Sequence, residues 1–135
     1  MITAVDTHVL IDLLEGDPEF GAASAAALAQ AAREGALIAC EVVWAEVATA
    51  YAGDASVADD LRELGLRFDA LTEPAALRAA QAWAAYRQRG GTRRRIAADF
   101  LIGAHAATQA DRLLTRDDGF HRRYFEGLAV SMPGR

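Results

Sequence analysis

Four carboxylates occupy places where solvent decoration is a poor explanation. Asp6 closes the apolar run Ile2-Thr3-Ala4-Val5. Glu46 lies within Glu41-Val-Val-Trp-Ala-Glu-Val-Ala-Thr-Ala50, where a helix would give it one face with Val42, Val43, Thr49 and Ala50. Asp99 is the only polar side chain between Ile96 and Ala104, and Asp117 follows Leu113-Leu114-Thr115. A carboxylate on an apolar face costs several kcal/mol unless it is paired or bound to a cation. If the four converge, they cannot all stay ionised at pH 7 without a cation between them. Oxygen ligands without His or Cys select Mg²⁺ or Mn²⁺ over zinc. Each position also has an innocent reading. Asp6 can cap a helix, Glu46 can pair with an Arg, Asp99 can be an ordinary first-turn acid, and Asp117 can serve the turn or cap at Asp118-Gly119.

The elements that must position these acids follow from periodicity. Residues 2–5 read as a strand, and Val9, Leu10, Leu13 and Leu14 have helical spacing up to Gly16-Asp17-Pro18. A second helix spans 19–33. Residues 36–39 are a continuous apolar run of strand length, as expected for a strand covered on both faces. Helices are expected over 41–52, 54–64, 74–88 (opened by Pro74) and 97–110. Strands are expected over 112–115 and 128–131, with 68–71 as a possible third strand in chain order. Strands alternating with helices predict an α/β fold with a parallel sheet and helices on both faces. Asp6 and Asp117 then stand at carboxyl ends of strands, where ligands gather in open parallel sheets.

Composition narrows the chemistry further. The 135 residues carry a net charge of −5, and all 14 cations are Arg. Without Lys there is no Walker A loop and no Schiff-base chemistry. None of Ser24, Ser56 and Ser131 stands in a GxSxG setting. A single cysteine, Cys40, excludes a disulfide framework and fits a reducing cytosol. The length suits one domain, 1–135, and no signal or membrane-spanning segment is read, so a cytoplasmic protein is expected.

Four segments in order resemble the PIN-domain ribonucleases, and among them the VapC-type toxins of type II toxin–antitoxin systems. They are Val5-Asp6-Thr7, Val42-Val43-Trp44-Ala45-Glu46, Ala97-Ala98-Asp99-Phe100-Leu101-Ile102-Gly103-Ala104 and Leu114-Thr115-Arg116-Asp117-Asp118-Gly119-Phe120. The resemblance covers nearly the whole chain. It implies a PIN-like fold, a four- or five-stranded parallel sheet sandwiched by helices, with an acidic pocket formed by Asp6, Glu46, Asp99 and Asp117. It implies Mg²⁺ (Mn²⁺ possible) bound chiefly by Asp6 and Asp99, with Glu46 and Asp117 completing the pocket. The implied reaction is hydrolysis of RNA to 5′-phosphate and 3′-hydroxyl products. The implied partners are a VapB-like cognate antitoxin and a second copy of the chain.

Around the acids, Thr7 and Thr115 are candidates to support the site. His8 stands where the family commonly has Asn or Ser. Arg93, Arg94, Arg95 and Arg116 are candidates to touch RNA phosphates, the basic segments lying just before Asp99 and around Asp117. His105 and His121 have no partner at ligand spacing and read as bystanders. A haloacid-dehalogenase-like phosphatase would need Asp where His8 stands and a later Lys or equivalent. The alternative from another class is a catalytically silent PIN-like module that binds RNA or protein.

Overall fold

The computed structural model describes residues 1–92 and 97–134. Five strands alternate with seven helices among them: β1 (Ile2–Val5), α1 (Thr7–Glu15), α2 (Gly21–Glu34), β2 (Ala36–Ala39), α3 (Glu41–Ala50), α4 (Val57–Glu63), β3 (Leu66–Phe68), α5 (Glu73–Gln88), α6 (Ala98–Gln109), β4 (Arg112–Leu114), α7 (Asp118–Tyr124) and β5 (Ala129–Ser131). The strands form one sheet in the order β3-β2-β1-β4-β5, and every neighbouring pair is parallel. Successive residues of a strand face opposite sides of its sheet. Thr3, Ala4 and Val5 are all buried, as are Leu37, Ile38 and Ala39, so both faces of the central strands are covered. This is the α/β sandwich that the alternation predicts.

Two apolar clusters fill the fold. The larger joins the central strands to Val9, Leu10, Leu28, Val43, Val47, Leu61 and Ile102. The smaller gathers Ala79, Ala82, Phe100, Ala104 and Phe125, with Trp83, Tyr86, Phe120 and Tyr124 packed against it. No helix among the described residues is long and apolar enough to cross a membrane.

Two elements differ from expectation. The third strand is Leu66–Phe68 rather than 68–71. The Asp69 amide donates a last bond to the Ala39 carbonyl, after which side chains take over the polar groups. Asp69 Oδ2 accepts from Gln109 and lies 2.8 Å from His105 Nε2, while Glu41 accepts from the Leu71 amide. Asp118-Gly119, read as a turn or a cap, opens a helix not otherwise expected, α7, capped by the Asp117 side chain accepting from the Phe120 amide.

The strand order fixes where a site can form. Chain connections leave β1 toward β2 on one side and reach β4 on the other, so the winding direction reverses between β1 and β4. At such a reversal the connections diverge and leave a crevice at the carboxyl ends of the strands. Asp6 and Thr115 are the residues immediately beyond those ends.

Candidate active site

Asp6 continues β1 by donating its amide to the Leu114 carbonyl at 2.9 Å, then turns the chain into α1 as its N-cap. Its side chain is buried and held from several directions. Oδ1 accepts from the Thr7 amide at 2.8 Å and Oδ2 from Thr115 Oγ1 at 2.6 Å, with His121 Nε2 3.8 Å from Oδ2. Burial pushes the Asp6 carboxyl upward. The close His121 ring and its charge, the hydrogen bond from Thr115 and the Thr7 amide outweigh burial and hold it below its ordinary range.

Thr7 and Thr115, both buried, pass this arrangement outward. Thr7 Oγ1 donates to Glu46 Oε1 at 2.7 Å, fixing the half-buried carboxylate of α3. Thr115 Oγ1, while donating to Asp6, accepts from the Asp117 amide at 3.0 Å. A continuous string of hydrogen bonds therefore links Glu46, Thr7, Asp6, Thr115 and the Asp117 backbone across three elements. Glu46 thus has Thr7 as a partner, and it pairs with no Arg among the described residues. Asp6 and Asp117 do cap helices, and the caps coexist with their place in the string.

Asp99 stands in the first turn of α6, half-buried. Its carboxyl is pushed above the ordinary range by burial first, then by the negative charge of Asp6; the His121 charge opposes, while Glu46 and Asp117 push further upward. All three other acids therefore act on Asp99 through space. No three His, Cys, Asp or Glu side chains among the described residues stand ready-made around a single point. The donor set fits Mg²⁺ or Mn²⁺ all the same. Mg²⁺ keeps several waters and uses one or two carboxylates, and a cation would relieve the charge that raises Asp99.

Other candidates fall differently. His8 is exposed. Arg116 turns from open solvent into an ion pair with buried Asp12, Nε to Oδ2 at 2.8 Å, and lies 4.1 Å over the Phe20 ring. Arg93, Arg94 and Arg95 lie outside the described residues. His105 is buried against Asp69. His121 is no bystander: it is 1% exposed and packed beside Asp6. Sequence reasoning missed it because its partner is more than a hundred residues away and α7 had not been foreseen. Asp12 was also passed over. The signal that exposed Asp99, a lone acid in an apolar helix, applies equally to Val9-Leu10-Ile11-Asp12-Leu13-Leu14.

The model of the PIN domain family matches residues 3–126. The chain belongs to the PIN domain family. No relative matches it among curated protein sequences. Among solved structures, FitAcB from Neisseria gonorrhoeae is 25% identical, with 98% of each chain covered and a TM-score of 0.72. VapBC2 from Rickettsia felis, bound to a DNA fragment from their promoter, shares 15% identity over 98% of each chain at a TM-score of 0.73. A toxin–antitoxin complex from Klebsiella pneumoniae shares 21% over 97% of each chain at 0.64. At these identities the last two likenesses speak for the fold. For this PIN domain, that fold places Asp6 and Thr115 at the β1–β4 reversal.

Proposed function

We propose that this PIN domain, 1–135, is a divalent-metal-dependent endoribonuclease and the toxin of a type II toxin–antitoxin module. It acts in the cytoplasm as a homodimer and is held silent by a VapB-like antitoxin. The observation that carries the reading is the string Glu46–Thr7–Asp6–Thr115–Asp117 at the β1–β4 crevice, with Asp99 facing the charge of all the acids in it. Anionic charge concentrated this way is unfavourable unless a cation answers it. The toxin assignment is supported by likeness to a toxin–antitoxin complex and to the VapBC2 and FitAcB structures.

Asp6 and Asp99 would hold the ion, Mg²⁺ or Mn²⁺, directly or through its waters. When bound, such an ion makes a water nucleophilic at neutral pH and draws charge from a phosphoryl oxygen and a leaving oxygen. Asp6 contributes rigidity, because bonds from Thr7 and Thr115 fix its carboxylate plane before any ligand arrives. Glu46, oriented by Thr7 through Oε1, would accept a proton from an attacking water on its other oxygen. Asp117 is exposed at the mouth, where it adds negative charge and can orient further water. Attack by water with the 3′ oxygen as the leaving group yields 5′-phosphate and 3′-hydroxyl ends.

The decisive experiment incubates the purified chain with single-stranded and hairpin RNAs in Mg²⁺, Mn²⁺ or EDTA. Cleavage with either ion, lost in EDTA and in Asp99→Asn, is expected. A folded chain that binds RNA but cuts none with either ion would instead be the silent binding module.

A further inference from the structure

Beside the acid site, α5 and α7 bring a ring and two cations together on the surface. Tyr124 in α7 is half-buried, with its ring packed on Phe100, Phe120 and Tyr86 at centroid distances of 5.5, 5.2 and 6.1 Å. Arg123, its chain neighbour, holds its guanidinium 5.7 Å from the ring centroid, and Arg89, just past the end of α5, holds its own at 5.5 Å. Both Arg residues are exposed, and neither pairs with a carboxylate among the described residues. The neighbouring Arg122 differs, being paired with Asp118.

The approach of Arg89 is built into the backbone. Gly90 has φ +88°, which favours glycine, and a Cβ on Gly91 would stand 2.3 Å from Tyr86 Cε1. These two glycines let the chain turn tightly over the Tyr86 ring directly after Arg89. Two like charges gathered on one ring, without an anion of the protein's own between them, form a site for an outside anion. The ring adds a π surface, and guanidinium groups themselves stack on bases.

The platform is continuous with the acids. Asp117 caps α7, His121 of the same helix lies 3.8 Å from Asp6 Oδ2, and Phe100 follows Asp99. Seven residues of helix, at 1.5 Å each, put Tyr124 about 10 Å from Asp117.

We infer that Arg89, Tyr124 and Arg123 form a landing platform for single-stranded RNA, gripping the strand beside the acid site. The inference rests on the ribonuclease reading and names where its substrate is held. Arg89 and Arg123 take phosphates or stack on bases, and Tyr124 offers a ring to a base. An acidic peptide would meet the same two cations, but it has no use for a ring leading into a carboxylate pocket. Single-stranded RNA supplies both phosphate and base.

The test measures affinity in EDTA, so that nothing is cleaved, using a short fluorescein-labelled single-stranded RNA across a salt series. For Arg89→Gln/Arg123→Gln we expect affinity to fall about 10-fold at moderate salt. The slope of log affinity against log salt should flatten by about 1.4, the release expected for two phosphate contacts on a single strand. Tyr124→Leu should lose about 10-fold with little change of slope, while Tyr124→Phe keeps its affinity. Circular dichroism checks that each variant is folded. Wild-type binding with an unchanged slope and affinity in the double Arg variant overturns the platform and leaves the ribonuclease reading standing. No RNA binding or cleavage by the wild-type chain overturns both. Loss of an acidic protein partner with RNA affinity intact assigns the surface to that partner and overturns the inference.

Discussion

Replacing Arg116 by Met should unfold this domain more readily than any change made on its surface. Asp12 is 4% exposed in the middle of α1, and its carboxylate is answered almost entirely by one guanidinium. Arg116 Nε lies 2.8 Å from Oδ2 and its terminal nitrogen donates to Oδ1 at 3.3 Å. The remaining contact, Ser24 Oγ to Oδ2, is at the outer limit of a hydrogen bond at 3.5 Å. In Arg116→Met the carboxylate keeps its burial and loses its partner, which costs about 3–5 kcal/mol. Loss of the guanidinium above Phe20 adds about 0.5–1 kcal/mol. Against a total stability of about 5–15 kcal/mol for a domain, that is a large fraction.

At this chain length 1 kcal/mol corresponds to about 4 °C in Tm, so a fall of about 14–24 °C is expected. The reverse change, Asp12→Leu, is milder, because the Arg116 side chain is 30% exposed and can reach water. The double variant Asp12→Leu/Arg116→Met should return to within about 1–2 kcal/mol of wild type, since apolar pairs often replace buried ion pairs without loss. Urea titrations followed by the fluorescence of Trp44 and Trp83 close the cycle, with a coupling of at least about 2 kcal/mol expected. If Arg116→Met costs under about 1 kcal/mol, the guanidinium is not what compensates Asp12, and the reasoning is wrong.

Asp99→Asn should reduce metal-dependent cleavage by about 100-fold or more while stabilising the metal-free fold. Burial and the neighbouring acids raise the Asp99 pKa on folding. Its favourable balance is therefore complete below the unfolded value of 3.8 and is lost as pH rises through the folded value, so the gain in Tm appears at neutral pH and vanishes in acid. In scanning calorimetry, Mg²⁺ at about 100 times its Kd should raise the wild-type Tm by about 10 °C and leave that variant nearly unmoved. A response to the ion of equal size in both would remove Asp99 from the metal site. Gly103→Ala sets a helix-propensity gain of about 1 kcal/mol against a Cβ placed 2.3 Å from Phe125 Cε2 and 3.0 Å from His121 Nδ1. Both rings are buried and cannot yield, so overpacking wins and a net loss of about 1–2 kcal/mol is expected in urea; a stabilised variant would contradict that packing. Thr7→Val keeps volume but frees Glu46, so cleavage should drop about 10-fold with a stability change under about 1 kcal/mol. Undiminished cleavage would show that Glu46 needs no anchor.

The parts of the fold that could be read ahead were those with strong local patterns. β1, β2 and β4 are apolar runs bounded by turn residues, and their burial on both faces matches a parallel sheet. β3 was displaced because Asp69, Ala70 and Leu71 have no local feature that forbids a strand. What removes them is Glu41 and Gln109, bonded across thirty residues or more of chain and taking their polar groups. α7 hid behind Asp118-Gly119, a pair that signals a turn equally well. The four acids were legible because an apolar context makes an acid conspicuous. Thr7 and Thr115 could be named as neighbours, but their hydrogen bonds could not, since each depends on which strand lies beside which. Arg116 looked free because an exposed cation and a cation aimed at a buried acid have the same local sequence.

The register between β1 and β4 ties the fold to the site more tightly than any single side chain. Val5 stands opposite Leu114, and the Asp6 amide extends the same ladder to the Leu114 carbonyl. Thr115 is thereby placed one step beyond Leu114, where its hydroxyl meets Asp6 Oδ2. Because side chains alternate between faces, a slip of one residue would turn Thr115 to the opposite face and bury Arg116 in its place. The same slip would take Leu113 and Leu114, both essentially unexposed, out of their matched positions against β1. The apolar core therefore specifies the register, and the register specifies the contact between Asp6 and Thr115. Stability and chemistry are drawn from adjacent residues of the same two strands. A domain that folds correctly has its acids aligned without further adjustment, and one that mispairs β4 loses both at once.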